Sequence, residues 1–224
     1  MPYEMSSSLS AVASAKAEWA MLIALGAFHG VNPAMGWLFA VALGMQERRR
    51  GAVLRALLPL GVGHALAVAG AVGVAVALGA VMPIGQLRVP IAGVLVSLGV
   101  LRFFRHHHPR RTGMRVGIAG LTVWSFLMAT AHGAGLMVVP LFVSMSMTGG
   151  SGHAHHVPAA ASTNAGVALV ATGLHAVGYL AVTAFVALLV FEKLGVGILR
   201  RAWFNVDLLW AGALVITGVV TLMT

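Results

Sequence analysis

The chain contains no cysteine. Disulfide staples, thiolate metal sites and thiol-relay chemistry are therefore excluded. Charge is almost as scarce. Only 8% of residues are charged, five of them acidic, against roughly a quarter in an ordinary soluble domain. No cluster of carboxylates and no nucleophile-base spacing can be found, so an enzyme is not expected. A basic start followed by an apolar stretch and a cleavage site is missing as well. The opening MPYEMSSSLSAVASAKAEW does not read as a removable signal peptide.

Apolar sequence fills the rest. Of the 224 residues, 59% are hydrophobic, in runs of about 20 residues or more that suit membrane-spanning helices. Spanning segments must satisfy their own backbone hydrogen bonds, and these runs lack strand alternation, so they predict a helix bundle and not a barrel. Six spans are read, at about residues 18–45, 52–81, 89–104, 114–145, 163–191 and 204–223. The expected organisation is a short external tail (1–17), a first three-helix unit (18–104), a cytoplasmic basic and histidine-rich loop (105–113) and a second three-helix unit (114–224). The second unit carries an external His-rich loop over 148–162.

The basic residues orient the bundle. The first loop holds Arg48, Arg49, Arg50 and Arg55. The third holds Arg102, Arg105, Arg110, Arg111 and Arg115, and the fifth Lys193, Arg200 and Arg201. Lys16 and Arg88 alone lie on the other side. Cytoplasmic loops carry the lysine and arginine excess, so odd loops face the cytoplasm and both termini face outward. A multi-pass protein of a bacterial-type inner membrane is expected. The net charge of +9 is then a topology signal and a contact with anionic headgroups, and needs no nucleic acid.

The two units repeat each other. HGVNP at His29 matches HGAGLMVVP at His132, and GHALA at His64 matches LHAVGY at His175. AGVLVSLGVL from Ala92 matches AGALVITGVV from Ala211. Three spans is an odd number, so the second unit enters the membrane from the opposite side. The expected fold is thus an all-α integral membrane protein of six transmembrane helices in two inverted three-helix repeats. Many secondary transporters are built this way, with a substrate site near the midplane at the repeat interface.

Ionisable side chains are expensive inside a bilayer, which makes His29, His64, His132 and His175 candidates for function. Taken singly, each could equally donate a hydrogen bond to a neighbouring helix. Neutral imidazole binds nickel, cobalt, copper and zinc, which the sequence does not separate. Pro33 predicts a kink or unwound stretch from Gly30, with freed carbonyls and the Asn32 amide lining a cavity. The second copy lacks the asparagine and the close proline, so the first span is expected to dominate. Met35 and Met137 follow the two HG motifs, and thioether sulfur suits Cu(I), although methionine is also an ordinary gap-filler. Asp207, early in the sixth span, is the nearest acidic candidate. His153, His155 and His156 form a short tract suited to capturing metal outside. His106, His107 and His108 lie among arginines that oppose a cation.

GAFHGVNPAMGW followed by GHALAV resembles the nickel/cobalt exporter-like (NicO) branch of the LysE superfamily. That resemblance implies six spans in two three-helix halves with a histidine-glycine motif in the first. In that family the motif continues to an acidic residue and a second histidine. Asn32, and Met35 or Gly36, stand at those places here.

The leading expectation is a small permease or exporter for a transition-metal cation, lined by His29, Asn32, His64, His132 and His175. Its partners would be the bilayer and the ion, with a second copy or a metalloprotein left open. Two alternatives remain: an electron-transfer protein holding haem between histidine pairs, and a membrane factor that delivers metal to a partner enzyme.

Overall fold

The computed structural model describes residues 2–79, 81, 83–104, 117–148, 157–194 and 206–223. All regular structure among them is helical. The α-helices are α1 (Pro2–Val31), α2 (Trp37–Glu47), α3 (Arg50–Gly79), α4 (Arg88–Phe104), α5 (Ile118–Ala131), α6 (Ala134–Thr148), α7 (Val157–Leu189) and α8 (Val206–Met223). Short 3-10 turns cover Pro33–Met35 and Ile84–Leu87, and one π-helical turn, Val190–Leu194, ends α7. The first 17 residues, expected as a tail, are drawn almost entirely into α1. Proline at a first helical position and the alanines at 11, 13, 15 and 17 both favour that outcome.

Among the described residues, two stretches are long and apolar enough to cross a membrane: Arg50–Gly79 and Ala165–Lys193. A third is available if α5 and α6, bent by 61° at their junction, form one broken span. The surface agrees with an apolar surround. Leu58, Val74, Leu169, Phe185 and Ile216 are each 60% or more exposed. The interior is mostly apolar as well, but it also encloses His29, Asn32, His64, Ser125, His132 and His175.

Both HG motifs interrupt a helix. In the first, α1 stops at Val31, and Asn32 caps the 3-10 turn by accepting from the Ala34 amide at 2.9 Å. Gly36 then takes φ of 124°, a conformation strained for any residue with a Cβ, and α2 begins. In the second, α5 stops at Ala131, Gly133 takes φ of 72°, and α6 begins. The first break follows Pro33, which cannot supply an amide. The second has no proline at the corner and turns on the glycine alone.

Helices α1 and α7 pack closely together, as do α3 with α5 and α4 with α8. The α4–α8 contact is reciprocal in the repeated sequence. Gly99 faces Ala211 and Val215, while Gly218 faces Ala92 and Val96. Between α1 and α7 the approach is tighter still. A Cβ at Gly26 would overlap the carbonyl oxygen of His175. Small residues permit such contact where no hydrophobic force holds helices together.

Candidate metal centre

Three histidines from three helices meet in the core. His29 is near the end of α1, His64 is midway along α3, and His175 is midway along α7. All three are fully buried. Their ring centroids are 5.0 Å apart for His29–His175, 5.3 Å for His64–His175 and 5.6 Å for His29–His64. Two imidazoles on one tetrahedral ion, with N–metal bonds of about 2.1 Å, would have centroids about 5 Å apart. The spacing therefore suits a shared ion, but the present ring orientation does not. His64 and His175 lie parallel, within 8°. Among the described residues, no group of three or more His, Asp or Glu is aimed to hold a metal. Side-chain rotation would have to come with binding.

The hydrogen bonding leaves nitrogen atoms spare. His29 Nδ1 donates to the Leu25 carbonyl at 2.7 Å, since a carbonyl can only accept. Its Nε2 has no partner. Both ring nitrogens of His64 are buried without a partner. The carbonyl of Leu22 lies close to His175. It does not reach hydrogen-bond geometry, and neither His175 nitrogen is satisfied. An unmade hydrogen bond on a buried polar atom costs about 1–3 kcal/mol. Metal-binding histidines commonly use one ring nitrogen on a carbonyl and keep the other for the ion, and His29 is arranged that way.

His132 repeats the local pattern of His29 but not its company. Its Nδ1 donates to the carbonyl four residues back, that of Met128, at 2.8 Å. Trp210 separates it from the triad. The indole of Trp210 is 4.5 Å from the His29 ring and 5.6 Å from the His132 ring. Arg102, in the last turn of α4, donates to the Ala131 carbonyl beside His132. A fixed positive charge at that point opposes a cation near His132.

Three carbonyls around the first break each accept a hydrogen bond from an aromatic side chain. Trp37 Nε1 donates to Val31 at 3.0 Å, Trp124 Nε1 to Ala34 at 3.2 Å, and the Tyr179 hydroxyl to Met35 at 2.7 Å. Buried backbone acceptors must find donors, and here aromatic side chains provide them. The Asn32 oxygen likewise accepts from the Ala34 amide, and its side-chain amide nitrogen is buried without a partner.

Tyr179, Trp210, Trp124 and Ser125 were not singled out from sequence. Tyr179 lies one helical turn beyond His175, so spacing alone could have placed it on the same face. Trp210 and Trp124 carried no local signal. Met35 and Met137 are both buried, in one core cluster with Tyr179 and Trp210. The side chain of Asp207, and His153, His155, His156 and His106 to His108, lie outside the described residues. Comparison with protein-family models, curated proteins and solved structures finds no match.

Proposed function

We propose that the chain is a small secondary membrane transporter for a transition-metal cation, with His29, His64 and His175 as its central site. One observation carries this reading. Three imidazoles from three helices converge in a buried core at metal-sharing distances and leave nitrogen atoms without hydrogen bonds. Packing alone would favour apolar residues of the same volume there.

In this reading the six spans expected from the sequence form two inverted three-helix repeats, with odd loops in the cytoplasm and both termini outside. The reciprocal α4–α8 contacts support that symmetry. So does the shared geometry of His29 and His132, each bonded to the carbonyl four residues back and each just before a helix break. Alternating access would come from one half rocking against the other about the triad. Asn32 shapes the break and His132 plays the lesser part. The histidines of the 148–162 loop would assist capture outside. The likeness to the NicO branch of the LysE superfamily is compatible with this arrangement.

Haem fits less well. Two axial imidazoles flank a macrocycle with centroids about 6 Å apart, whereas these rings pack directly on one another at 5.0–5.6 Å. Delivery of metal to a partner enzyme without net flux is distinguished by experiment. Proteoliposomes loaded with a metal-responsive dye are expected to show cation entry with the wild-type chain and none with His29→Ala/His175→Ala. Equal flux from both proteins, or ion binding without any flux, would remove the transporter assignment.

A further inference from the structure

Helices α3 and α7 run antiparallel along one seam. Arg50 at the start of α3 pairs with Glu192 at the end of α7, Gly61 packs against Leu180, and His64 stacks on His175. Toward the arginine end of this seam the surface opens into a groove of about 520 Å³, lined by Leu57, Leu58, Val177, Leu180, Ala181 and Ala184. Its exposed lining is wholly apolar. Leu58 is 73% exposed and Val177 60%. The two helices that form it, Arg50–Gly79 and Ala165–Lys193, are the ones long and apolar enough to cross a membrane. In that setting the groove faces hydrocarbon. From Ala184 to Val177 it follows α7 for two turns, about 10 Å. One leaflet's hydrocarbon is about 15 Å deep, half of a core about 30 Å thick. An acyl chain laid in the groove is thus held over most of its length.

Basic residues stand at one end of the groove. Arg55 precedes Leu58 by three residues on α3, a spacing that makes their side chains neighbours. Arg50 meets Glu192 where the seam ends, and Arg48, Arg49 and Lys193 are exposed at the same corner. Two carboxylates lie among them. Glu47 pairs with Arg49 and Arg55, and Glu192 with Arg50. Four arginines and a lysine against two carboxylates leave a positive surplus beside an apolar slot. A guanidinium carries five donors, so each arginine can meet a phosphate without giving up its carboxylate. Such a corner complements a molecule with a negative head and an apolar tail. A second copy of the chain is a poorer occupant. It would sit in the membrane the same way up, so a two-fold axis through the groove would set one arginine corner against the other. Like charges brought together in that way disfavour association.

We propose that this groove is a binding site for an anionic phospholipid, with one acyl chain lying between α3 and α7 and the phosphate held by Arg50 and Arg55. The site is separate from the histidine triad and does not rest on the transport reading.

The test uses the purified full-length chain in mild detergent. It is titrated with phosphatidylglycerol and with phosphatidylcholine of the same chains, and bound lipid is counted by native mass spectrometry. The wild-type chain, which needs no substitution for this comparison, is expected to bind phosphatidylglycerol about tenfold or more tightly than phosphatidylcholine. Arg50→Gln/Arg55→Gln is expected to remove that preference with helix content unchanged. Ala181→Leu/Ala184→Leu fills the groove without altering charge, and is expected to weaken phosphatidylglycerol by about tenfold. Glycerophosphoglycerol, the headgroup without its chains, is expected not to displace the lipid. Equal affinity for the two lipids, or a preference that survives both double variants, overturns the proposal. Displacement by the headgroup alone also overturns it, since the corner would then be an anion patch that makes no use of the groove. A dimer that the groove-filling variant dissociates overturns it in favour of a second copy as the occupant. None of these outcomes bears on the triad, whose own assay reads cation flux.

Discussion

The imidazole of His64 lies flat against the ring of Tyr179, with centroids 3.9 Å apart and planes within 8°. The Tyr179 hydroxyl reaches past it to the Met35 carbonyl at 2.7 Å. One side chain thus supports the α3 histidine and closes the break that follows α1. Tyr179→Phe keeps the stack and orphans the Met35 carbonyl. It is expected to cost about 1–3 kcal/mol of stability, seen as a lower unfolding midpoint in detergent, with metal binding retained. Tyr179→Leu removes both contacts and is expected to weaken binding as well.

His29 and His132 are each held as the Nδ1–H tautomer by a carbonyl one turn back. Nitrogen NMR of histidine-labelled protein is expected to show both rings protonated at Nδ1. On metal addition the Nε2 resonance of His29 should move and that of His132 should not. A response confined to His132 would reverse the assignment of the site.

Helices α1 and α7 touch through glycine. Since a Cβ at Gly26 would overlap the backbone of His175, Gly26→Val must push α7 away. Strain of this kind costs about 1–3 kcal/mol or more. The variant is expected to unfold earlier and to lose metal binding, because the displaced backbone is that of His175 itself. Gly70→Ala, at a position with open space, serves as the silent control.

At the α2–α3 turn, Glu47 accepts from Arg49 and pairs with Arg55 at 2.5 Å. The Arg49 hydrogen bond, ahead of the Arg55 charge, holds its carboxyl below the usual glutamate value. A depressed carboxylate contributes stability above its unfolded pKa of about 4.3 and loses it as pH falls through the lower folded value. The pair lies at the surface, so the effect is small. Glu47→Gln is expected to flatten the acid limb of a stability-against-pH curve below about pH 4.3 and to leave neutral stability nearly unchanged. An unaltered acid limb would show that the pair carries no pH dependence.

Much of the helical layout was legible beforehand, because apolar run length and a missing strand period leave helices as the only spanning option. The interruption after His29 was legible too, from Pro33. The one after His132 was not, since it turns on Gly133 with no proline at the corner. Asn32 was expected to line a cavity; its oxygen also caps the turn it begins. That choice depends on whether the Ala34 amide has another acceptor, which no sequence pattern reveals.

The sequence by itself determined that His29, His64, His132 and His175 would be buried, and that His29 would precede a helix break. Those properties follow from local composition and backbone chemistry. Only the tertiary structure decided which histidines meet. His29, His64 and His175 lie far apart in the chain, and glycine contacts between α1 and α7 bring two of them together. His132, the match to His29 in sequence, is divided from them by Trp210 and neighboured by Arg102. Repeated motifs fix which residues are equivalent, but the distance between side chains depends on helix packing, and one indole between two rings is enough to make equivalent residues unequal.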